Sequence, residues 1–390
     1  MKTVTIPINI APTTRNFVNV GQALFAIEEH NGKTIVYDCG GESRLIVAAV
    51  LPYILRKNSV IDILFISHYD NDHINGVQYL LHHCHIRHIV LPMVEEEHKL
   101  FAALSMPDSS FAYKFTLNPG QTISEEIYAM RDNGDRDKVP PRIHFVNTAE
   151  HSYGDANISE PMPIDDFENN QNIPENKAIR IGAPNDDWIY LPFNRKVMTS
   201  NQWEDFLSFL HLPLTAKSDD IIAYWKEHWI DERLYEKPIR FPYERRHPLK
   251  DAWQEATGIP YRDINEYSMT LYSGPSRNIG TYGCLYTGDY NAKKYFDELY
   301  HFYIRLWHNI SVVQVPHHGS NNNFDDQLII HGATHVIPNK EAPYRQSDVR
   351  YQTVWDLIEN KGEKVVGTWG TTILRGYQLL VSNMLTKQIV

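Results

Sequence analysis

The chain of 390 residues is long enough for one large domain or two ordinary ones, with ample capacity for a core. A hydrophobic content of 42% and a charged content of 22% are those of a globular protein, and they exclude collagen-like, coiled-coil and wholly disordered chains. The formal net charge of −11 argues against the broad basic surface of a protein that coats nucleic acid, although an anionic site would account for part of this charge.

Two features bear on the compartment of the protein. The stretch from Met1 to Pro7 lacks the continuous apolar core of a signal peptide, and no apolar run approaches the ~18 residues of a membrane span. The cysteines Cys39, Cys84 and Cys284 lack metal-type spacing, so we expect reduced and mostly buried thiols. The sequence therefore predicts a soluble, cytoplasmic protein without a membrane partner.

The first predicted elements are a β-hairpin and a helix. Strands over Ala23 to Glu28 and Thr34 to Asp38 flank Asn31-Gly32, a dipeptide that favours tight hairpin turns. The apolar periodicity predicts a helix from Ser43, its N-cap, to about Arg56. Pro52 should kink this helix or end it early.

The densest polar cluster of the chain follows the next predicted strand. Val60 to Ile66 is β-branched, aromatic and short, as a buried strand requires. Ser67 to His73 then contains two imidazoles and two carboxylates, a ligand set suited to a borderline or hard divalent metal. The alternative is a solvated loop rich in His and Asp. The candidate ligands are His68, Asp70, Asp72 and His73.

Two later strands end in further metal-ligand types. A strand over Gly283 to Tyr286 leads into Gly288-Asp289, and a strand over Ile310 to Val315 leads into His317-His318. Each pattern places polar groups just beyond the carboxyl end of a strand, which is the usual position of sites in α/β sheets. The repetition favours a metal site over a solvated loop.

The segments between these motifs are less regular. A helix from Gly76 to His85 and strands over Arg87 to Met93 and Ile143 to Val146 are predicted. Residues 95 to 185 are otherwise hard to interpret, and long surface loops are predicted at Asn133 to Arg136, at Pro140-Pro141 and from Ser152 to Asn176. Several histidines in this part lack nearby carboxylates, so we interpret them as solvated or capping residues. They are His82, His83, His85, His88 and His98.

After a strand over Trp188 to Asn194, a helical periodicity predicts an insertion at about residues 196 to 262 of a single domain that spans residues 1 to 390. A basic run from Lys237 to Lys250 is interleaved with aromatic residues, a combination that can bind phosphates and stack on bases. A solvated surface with packed aromatics is the other interpretation. The candidate substrate-binding residues are Arg240, Arg245 and Arg246.

The remaining chain alternates strands and helices. Strands are predicted over Met269 to Tyr272 and Thr334 to Ile337, helices over Asn291 to Trp307 and Tyr351 to Asn360, and further strands towards Val390. This pattern predicts an α/β (α+β) architecture in which two sheets are sandwiched between helices.

The motifs together resemble a known family. His-x-Asp-x-Asp-His, a later Thr-Gly-Asp and then Pro-His-His-Gly-Ser resemble the metallo-β-lactamase fold, and within it the nuclease-like domain of the ComEC/Rec2 DNA-uptake proteins. Asn19 to Ala23, Val36 to Gly41 and Asn265 to Leu271 are similar to the same group. The resemblance covers roughly residues 15 to 375 with one large interruption, and it implies an αββα sandwich with a helical insertion.

The resemblance also implies one or two divalent ions, with Mn²⁺, Mg²⁺ and Zn²⁺ as candidates. His68 and Asp70 would hold one ion, Asp72 and His73 a second, and Asp289 would bridge them. Two such ions activate water and neutralise charge on a phosphoryl or carbonyl group, with Asp72 among the catalytic residues. The common pattern of the fold has a histidine where this chain has Asp70, and a carboxylate favours Mn²⁺ or Mg²⁺ relative to Zn²⁺.

Three further roles follow from the resemblance. Asp38 would support the predicted metal loop, residues 67 to 73, from behind rather than bind metal itself. His317 or His318 would lie on the leaving-group side, as the general acid or as a ligand, and the sequence does not choose between them.

The chain departs from the ComEC-like pattern in one respect. The final histidine of that pattern is missing, and Asp348 or Gln352 would have to replace it. Most enzymes of the fold take another ligand from the region between residues 95 and 185. His144 and His151 are candidates there, but the ComEC-like group does not need this ligand, and neither is included in the predicted site.

The implied function is metal-dependent hydrolysis by a phosphodiesterase or nuclease that acts on DNA or RNA. Because the same fold hosts ester, lactone and thioester hydrolysis, a small-molecule hydrolase is the alternative. A third interpretation is a partner-gated or catalytically weakened module of a multi-protein, defence-type complex that docks through the helical insertion. The expected partners are thus nucleic acid and a protein at the insertion.

Overall fold

Two eight-stranded sheets form the centre of the fold. The computed structural model describes residues 13–103, 106, 110–149, 159–182, 186–195, 200–228, 247–258, 268–277, 283–339, 349–368 and 377–381. Strands and helices are numbered below in chain order.

The first sheet joins antiparallel and parallel strands. In spatial order it contains β16 (Tyr377–Val381), β1 (Thr13–Phe17), β2 (Phe25–His30), β3 (Lys33–Cys39), β4 (Val60–Phe65), β5 (His85–Pro92), β6 (Arg142–Val146) and β8 (Asn172–Ile173). The strands from β16 to β3 pair antiparallel, and those from β3 to β8 pair parallel. The carboxyl ends of β3, β4, β5 and β6 therefore share one edge.

The second sheet has the same mixed character. In spatial order it contains β15 (Lys364–Gly367), β14 (Thr334–Ile337), β13 (Ile310–Gln314), β12 (Gly283–Tyr286), β11 (Thr270–Pro275), β10 (Trp188–Phe193), β9 (Lys177–Arg180) and β7 (Ser159–Pro163). The strands from β12 to β15 pair parallel, whereas β10 and β11 are antiparallel to their neighbours. The carboxyl ends of β12 and β13 thus lie side by side.

Helices cover the outer faces of both sheets. They are α1 (Arg44–Ile54), α2 (Asn71–Ile74), α3 (Val77–His83), α4 (Glu96–Ala103), α5 (Phe111–Leu117), α6 (Pro119–Asp132), α7 (Ser200–Phe209), α8 (Ser218–His228), α9 (His247–Thr257), α10 (Ala292–Tyr303) and α11 (Val349–Asn360). One core lies between the sheets, one between the first sheet and α1, α3, α5 and α6, and one between the second sheet and α10 and α11. The predicted αββα sandwich is confirmed.

Local sequence signals determine the first elements of the chain. Asn31 (φ +49°) and Gly32 (φ +72°) form the turn between β2 and β3, and two positive φ values are what a tight hairpin of this kind requires. The hydroxyl of Ser43 accepts a hydrogen bond from Leu45 N–H and caps α1. Pro52 lies inside the last turn of α1, which ends at Ile54 rather than at the predicted Arg56.

Three helices, α4, α5 and α6, lie between residues 96 and 132, a part of the chain in which no element is predicted from the sequence. The last of these, α6, begins at the N-cap Asn118 with Pro119 at its first position. Ile123 and Ile127 are buried one turn apart. These signals were readable, but the polar residues between them weakened the periodicity.

The helices α7, α8 and α9 pack on α4. Trp253 and Phe206 are completely buried and meet Phe101 edge-on or tilted. The amino end of α8 is held at the same place, because Ser218 N–H donates to Glu96 Oε2 over 3.0 Å and the Ser218 hydroxyl donates to Glu96 O over 2.6 Å. The treatment of these helices as an insertion in a single domain stays a prediction.

A charged pair is buried between the two sheets. Arg15 on β1 donates to Glu28 on β2 over 2.7 Å, and both side chains are enclosed. The remaining acceptor capacity of Glu28 is used by hydroxyl and indole donors from Trp188, Tyr190, Ser273 and Tyr286. Burial acts to raise the pKa of Glu28, but Arg15 and Ser273 outweigh it and hold this pKa below its usual range. The network therefore joins the sheets as an ion pair.

His144 and His88 form a second buried polar pair, at the end of the sheet opposite to the carboxyl ends of β5 and β6. His88 Nε2 lies 3.2 Å from the carboxylate of Asp165 and must donate to it. His88 Nδ1 is then the acceptor for His144 Nε2–H over 3.0 Å. Burial, together with the nearby His88 and Arg142, lowers the pKa of His144 to about 4.

This pair predicts acid lability. His144 is neutral in the folded chain but becomes protonated in the unfolded chain below its ordinary pKa of about 6.5. Stability is therefore lost as the pH falls from about 6.5 towards 4, by about 2 kcal/mol between pH 7 and pH 5. We expect His144→Gln, which retains an N–H donor, to lose correspondingly less, as measured by urea unfolding of both proteins at the two pH values. Equal losses in the two proteins would contradict this assignment.

Two features of the described residues concern compartment and redox state. Cys39, Cys84 and Cys284 are buried and unpaired, as the sequence predicts. Within the described ranges, no helix combines the length and the apolar character needed to cross a bilayer.

Candidate metal centre

The side chains singled out by the sequence meet where strands of both sheets end. Asp38 lies near the end of β3, the cluster of residues 67–73 follows β4, Asp289 follows β12, and His317-His318 follows β13. Parallel pairing within each sheet brings the first two together and the last two together. Because the two sheets face each other, the two groups of side chains meet at one centre.

Asp38 fixes the orientation of His73. His73 Nδ1–H donates to Asp38 Oδ2 over 2.8 Å, so Nε2 faces the centre and is the atom that would bind a cation after losing its proton. The N–H and the hydroxyl of Ser67 donate to the two oxygens of Asp38, each over 2.6 Å. Asp38 has φ +56°, a left-handed conformation that a non-glycine residue adopts only where its surroundings impose it. Asp38 thus lies behind His73 and not in the centre.

His68 is oriented by two serines. Its Nδ1 lies 2.9 Å from Ser67 Oγ and 3.3 Å from Ser268 Oγ. Its Nε2 therefore faces the centre, 3.7 Å from Asp70 Oδ2 and 3.8 Å from Asp289 Oδ2. Ser268 directly precedes β11, so the second sheet also positions a ligand of the first.

Asp289 is the carboxylate around which the imidazoles are grouped. Its backbone N–H donates to Ser268 Oγ over 2.9 Å, and its side chain is almost completely buried. The distances from its carboxylate oxygens to imidazole Nε2 atoms are 3.2 Å for His73, 3.7 Å for His317, 3.8 Å for His68 and 3.8 Å for His318.

The two adjacent histidines differ in their surroundings. His318 is buried, its Nδ1–H donates to Pro338 O over 3.1 Å, and its Nε2 lies 3.1 Å from Asp72 Oδ2. His317 is 30% exposed, and its Nε2 lies 3.7 Å from Asp289 Oδ2. Both have left-handed backbones, with φ +48° for His317 and +54° for His318. His318 is thus directed at Asp72 inside the centre, whereas His317 lies at the solvent side.

Among the residues that the structure describes, two groups of side chains could each hold a divalent ion. The first consists of His68, His73 and Asp289, and the second of Asp72, His73 and His318. The sequence prediction had divided the ligands differently, with His68 beside Asp70 and His73 beside Asp72. Both groups use His73, and Asp70 stands outside them at 3.7 Å from His68.

Unsatisfied buried atoms test whether a metal fits. His68 Nε2, His73 Nε2 and Asp289 Oδ1 are buried without hydrogen-bond partners, although buried polar atoms are normally paired. All three are lone-pair donors of the first group. Imidazole nitrogen and carboxylate oxygen are the ligand types of Zn²⁺ and Mn²⁺. The residues present therefore fit a divalent cation.

The electrostatics of the centre agree with this fit. Burial opposes ionisation of Asp72, but His73 and His318 outweigh it and lower its pKa to about 2. Burial likewise acts to lower the pKa of His73, but the carboxylates of Asp289, Asp38 and Asp72 hold it well above its usual range. In the metal-free chain, protons on the imidazoles thus balance the carboxylates. Metal binding should release these protons.

The metal loop and the loop after β3 approach each other too closely for a side chain at Gly40. A Cβ atom at Gly40 would lie 1.7 Å from the carbonyl oxygen of Asp72, far inside van der Waals contact. Gly40→Ala is therefore expected to displace the loop and to lower metal affinity by more than 10-fold, as measured by chelator competition. Gly120→Ala is the control, because its Cβ would meet only Ile143 at 3.9 Å. Unchanged metal affinity in Gly40→Ala would contradict a fixed loop.

Some predicted residues lie elsewhere or outside the described ranges. His144 is not in the centre but pairs with His88. Of the other histidines set aside, His83 caps the end of α1 through Leu55 O, and His82 pairs with Glu126. The structure does not describe Arg240, Arg245, Arg246, His151, Asp348 or the side chain of Gln352.

Sequence reasoning missed the residues that support the ligands. Ser67 and Ser268 orient His68, and Asn339 donates to His318 O over 3.2 Å. No motif marks Asn339 as functional, since its partner is distant in the chain. Ser268 lies in the family-like stretch Asn265 to Leu271, and Ser67 lies between strand β4 and the first ligand, but neither position indicates the contact with His68.

Comparison with known proteins agrees with this architecture. Residues 20–148 match the model of the Metallo-beta-lactamase superfamily, a segment that includes Asp38 and the His68–His73 cluster. The chain has the metallo-β-lactamase fold. The resemblance inferred from the motifs is thereby confirmed.

A short stretch of the chain is similar to a protein of known name. Recombination protein 2 of Haemophilus influenzae is 39% identical over 67 residues, which is 16% of this chain and 8% of that protein. Two solved structures are similar over 95% of the chain and 99% of their own. YhfI of Bacillus subtilis, a metallo-β-lactamase-fold protein, has a TM-score of 0.38 at 7% identity. Igni18, a metallo hydrolase of Ignicoccus hospitalis, has a TM-score of 0.37 at 9% identity.

Proposed function

We propose that this protein is a metal-dependent hydrolase that cleaves phosphodiester bonds in nucleic acid. The observation that carries the proposal is the charge of the centre. Asp70, Asp72 and Asp289 converge there, with Asp38 behind His73, and the ion pairs of these four carboxylates within the described part of the chain are formed with histidines only. Divalent cations would balance this charge and attract a phosphodiester.

The proposal of nucleic acid as substrate rests on sequence. The relative that this chain matches over 67 residues is named a recombination protein, which supports nucleic acid as the substrate. The basic and aromatic run between Lys237 and Lys250 supports contact with a strand, with Arg240, Arg245 and Arg246 as the proposed phosphate-binding residues. A cytoplasmic location and a protein partner at the helices α7 to α9 remain proposals of the same kind.

Five residues of the chain would hold the metal ions that activate water. A bound Mn²⁺, Mg²⁺ or Zn²⁺ ion supplies a Lewis acid that lowers the pKa of water and neutralises charge on a phosphoryl group. His68, His73, Asp289, Asp72 and His318 would hold one or two such ions. The carboxylate of Asp70 faces the same centre. Its oxygen atoms are hard ligands, which favour Mn²⁺ or Mg²⁺.

His317 is the residue that can move a proton. It is 30% exposed beside Asp289, whereas His318 is held by Pro338 O and directed at Asp72. We therefore assign the general acid that protonates the leaving oxygen to His317 Nε2 and the ligand role to His318.

The test is hydrolysis of bis-p-nitrophenyl phosphate and of single- and double-stranded DNA with each of the three metals, before and after removal of metal by a chelator. We expect cleavage that requires metal. Asp72→Asn should lose at least 100-fold in kcat/KM, because the amide keeps the size of the side chain but not its charge.

The control is Asp326→Asn, which removes a carboxylate from an exposed pair with Lys361 and should leave the rate unchanged. If the metal-loaded protein is inert on every phosphodiester, the proposed function is wrong. Hydrolysis of an ester, lactone or thioester by the same protein would then assign it to the small-molecule hydrolases of this fold.

A further inference from the structure

Gln314 is a buried amide that none of the roles above includes. It is the last residue of β13, and its side chain is completely enclosed. Its neighbours Val312 and Val313 are apolar, and a buried amide is costly unless its donors and acceptors are used. The partners of this amide therefore indicate what it does.

The carbonyl end of Gln314 holds the turn before Asp289. Its Oε1 accepts hydrogen bonds from Thr287 N–H and Gly288 N–H, each over 2.7 Å. The next N–H, that of Asp289, is taken by Ser268 Oγ over 2.9 Å. Three successive backbone donors are thus fixed by side chains, two of them by one oxygen.

The side-chain amide nitrogen of Gln314 contacts the same turn from the other side. Its Nε2 donates to Gly288 O over 3.2 Å and to Val315 O over 2.7 Å. The hydroxyl of Thr287 donates to Gln314 O over 2.7 Å. Gly288 O also accepts His317 N–H over 3.0 Å. One amide therefore connects the loop of Asp289 with the loop of His317.

This connection acts where the backbone has little freedom. Gly288 has φ +53°, and a Cβ atom there would lie 2.3 Å from Ser268 Oγ, so only glycine fits. His317 and His318 also have positive φ values. Such conformations persist only when the surrounding contacts impose them.

We propose that Gln314 is a positioning residue for the metal centre, which holds Asp289 and His318 at the separation that a bound cation requires. The inference rests on the proposed metal-dependent function. Gln314 touches neither substrate nor metal. It acts through the turn 287–289 and through the histidine loop, whose carbonyl at His318 is held in turn by Asn339.

The test compares two buried amides at the two ends of the same strand. Gln314→Met keeps the length of the side chain and removes every hydrogen bond of the amide. Asn309→Leu is the matched control, because Asn309 precedes β13, is completely buried, and donates to Pro275 O and Arg277 O far from the centre. Both variants should lose stability in urea unfolding.

Only Gln314→Met should lose metal affinity, by about 10- to 100-fold for Mn²⁺ in chelator competition at a temperature where both variants are folded. With saturating metal it should also lower kcat on bis-p-nitrophenyl phosphate and leave KM unchanged, since a fully enclosed residue does not meet substrate. Thr287→Val, which removes the hydroxyl bond alone, should lose less, about 3-fold in Mn²⁺ affinity. If Gln314→Met does not fold, the Mn²⁺ affinity of Thr287→Val is the test of the proposal.

Equal Mn²⁺ affinity in wild type, Gln314→Met and Thr287→Val would overturn the proposal. So would an equal loss in Asn309→Leu, which would mean that destabilisation alone weakens the centre. Failure of the proposed function gives a different result. Wild type would then bind Mn²⁺ and the affinity would fall in Gln314→Met, but no phosphodiester would be cleaved. Absence of Mn²⁺ binding to wild type would overturn both.

Discussion

Asp289→Asn is expected to reduce metal-dependent kcat/KM by at least about 1,000-fold, a loss of about 4 kcal/mol in transition-state stabilisation. Asp289 is the carboxylate that lies within 4 Å of four imidazoles, and its Oδ1 is buried without a partner. Asparagine keeps the shape and leaves the backbone bond to Ser268 intact, but an amide is a poor ligand for a divalent ion. Metal affinity and turnover should therefore fall together.

Two measurements separate this effect from misfolding. In the metal-free protein the carboxylate of Asp289 raises the pKa of His318 against the effect of burial. Titration of the histidines by NMR should show this pKa lowered in Asp289→Asn while the rest of the spectrum is retained. Asp165→Asn is the control, because Asp165 also pairs with a histidine but at the far end of the sheet. Wild-type metal affinity in Asp289→Asn would exclude Asp289 as a ligand.

Arg15→Met is expected to cost about 3–5 kcal/mol in the free energy of unfolding, the largest loss of stability that we predict. The reason is the charge left behind. Glu28 would remain enclosed between the sheets with an ionised carboxylate and no cation. Urea unfolding followed by tryptophan fluorescence would measure the change, since Trp188 donates to Glu28.

The double variant Arg15→Met/Glu28→Gln should recover much of this loss. The amide oxygen of glutamine can still accept from Trp188, Tyr190 and Ser273, and no buried charge remains. Lys361→Met, which breaks the exposed pair with Asp326, should cost less than about 1 kcal/mol. Additive losses in Arg15→Met and Glu28→Gln would show that the pair is not coupled.

Strands and motifs of this chain were predictable because their signals are local. The strand over Val60 to Phe65 is a short apolar run that ends in a polar cluster, and the hairpin at Asn31-Gly32 follows from a dipeptide. The helices α4, α5 and α6 were not predicted, since tertiary packing on the first sheet outweighs their weak periodicity. The local pattern therefore predicts where the strands end, and the candidate ligands directly follow these ends.

The grouping of the ligands depends on contacts between distant parts of the chain. The resemblance implied His68 with Asp70, Asp72 with His73, and Asp289 between the two ions. In the structure, Asp289 and His73 lie beside His68, and His318 joins Asp72 and His73. The same holds for Gln314, whose partners are about 26 positions away in the chain. Contacts of this kind depend on how two strands are placed beside each other, which no window along the chain contains.

The contribution of both sheets to one centre has a consequence for chain entropy. Asp72 and His318 are 246 positions apart, and they come from opposite sheets of the sandwich. A cation held by both acts as a cross-link that closes a very long loop, and the entropic advantage of such a closure grows with loop length. A bound cation would therefore also link the two halves of the fold, whose described strands do not pair with each other.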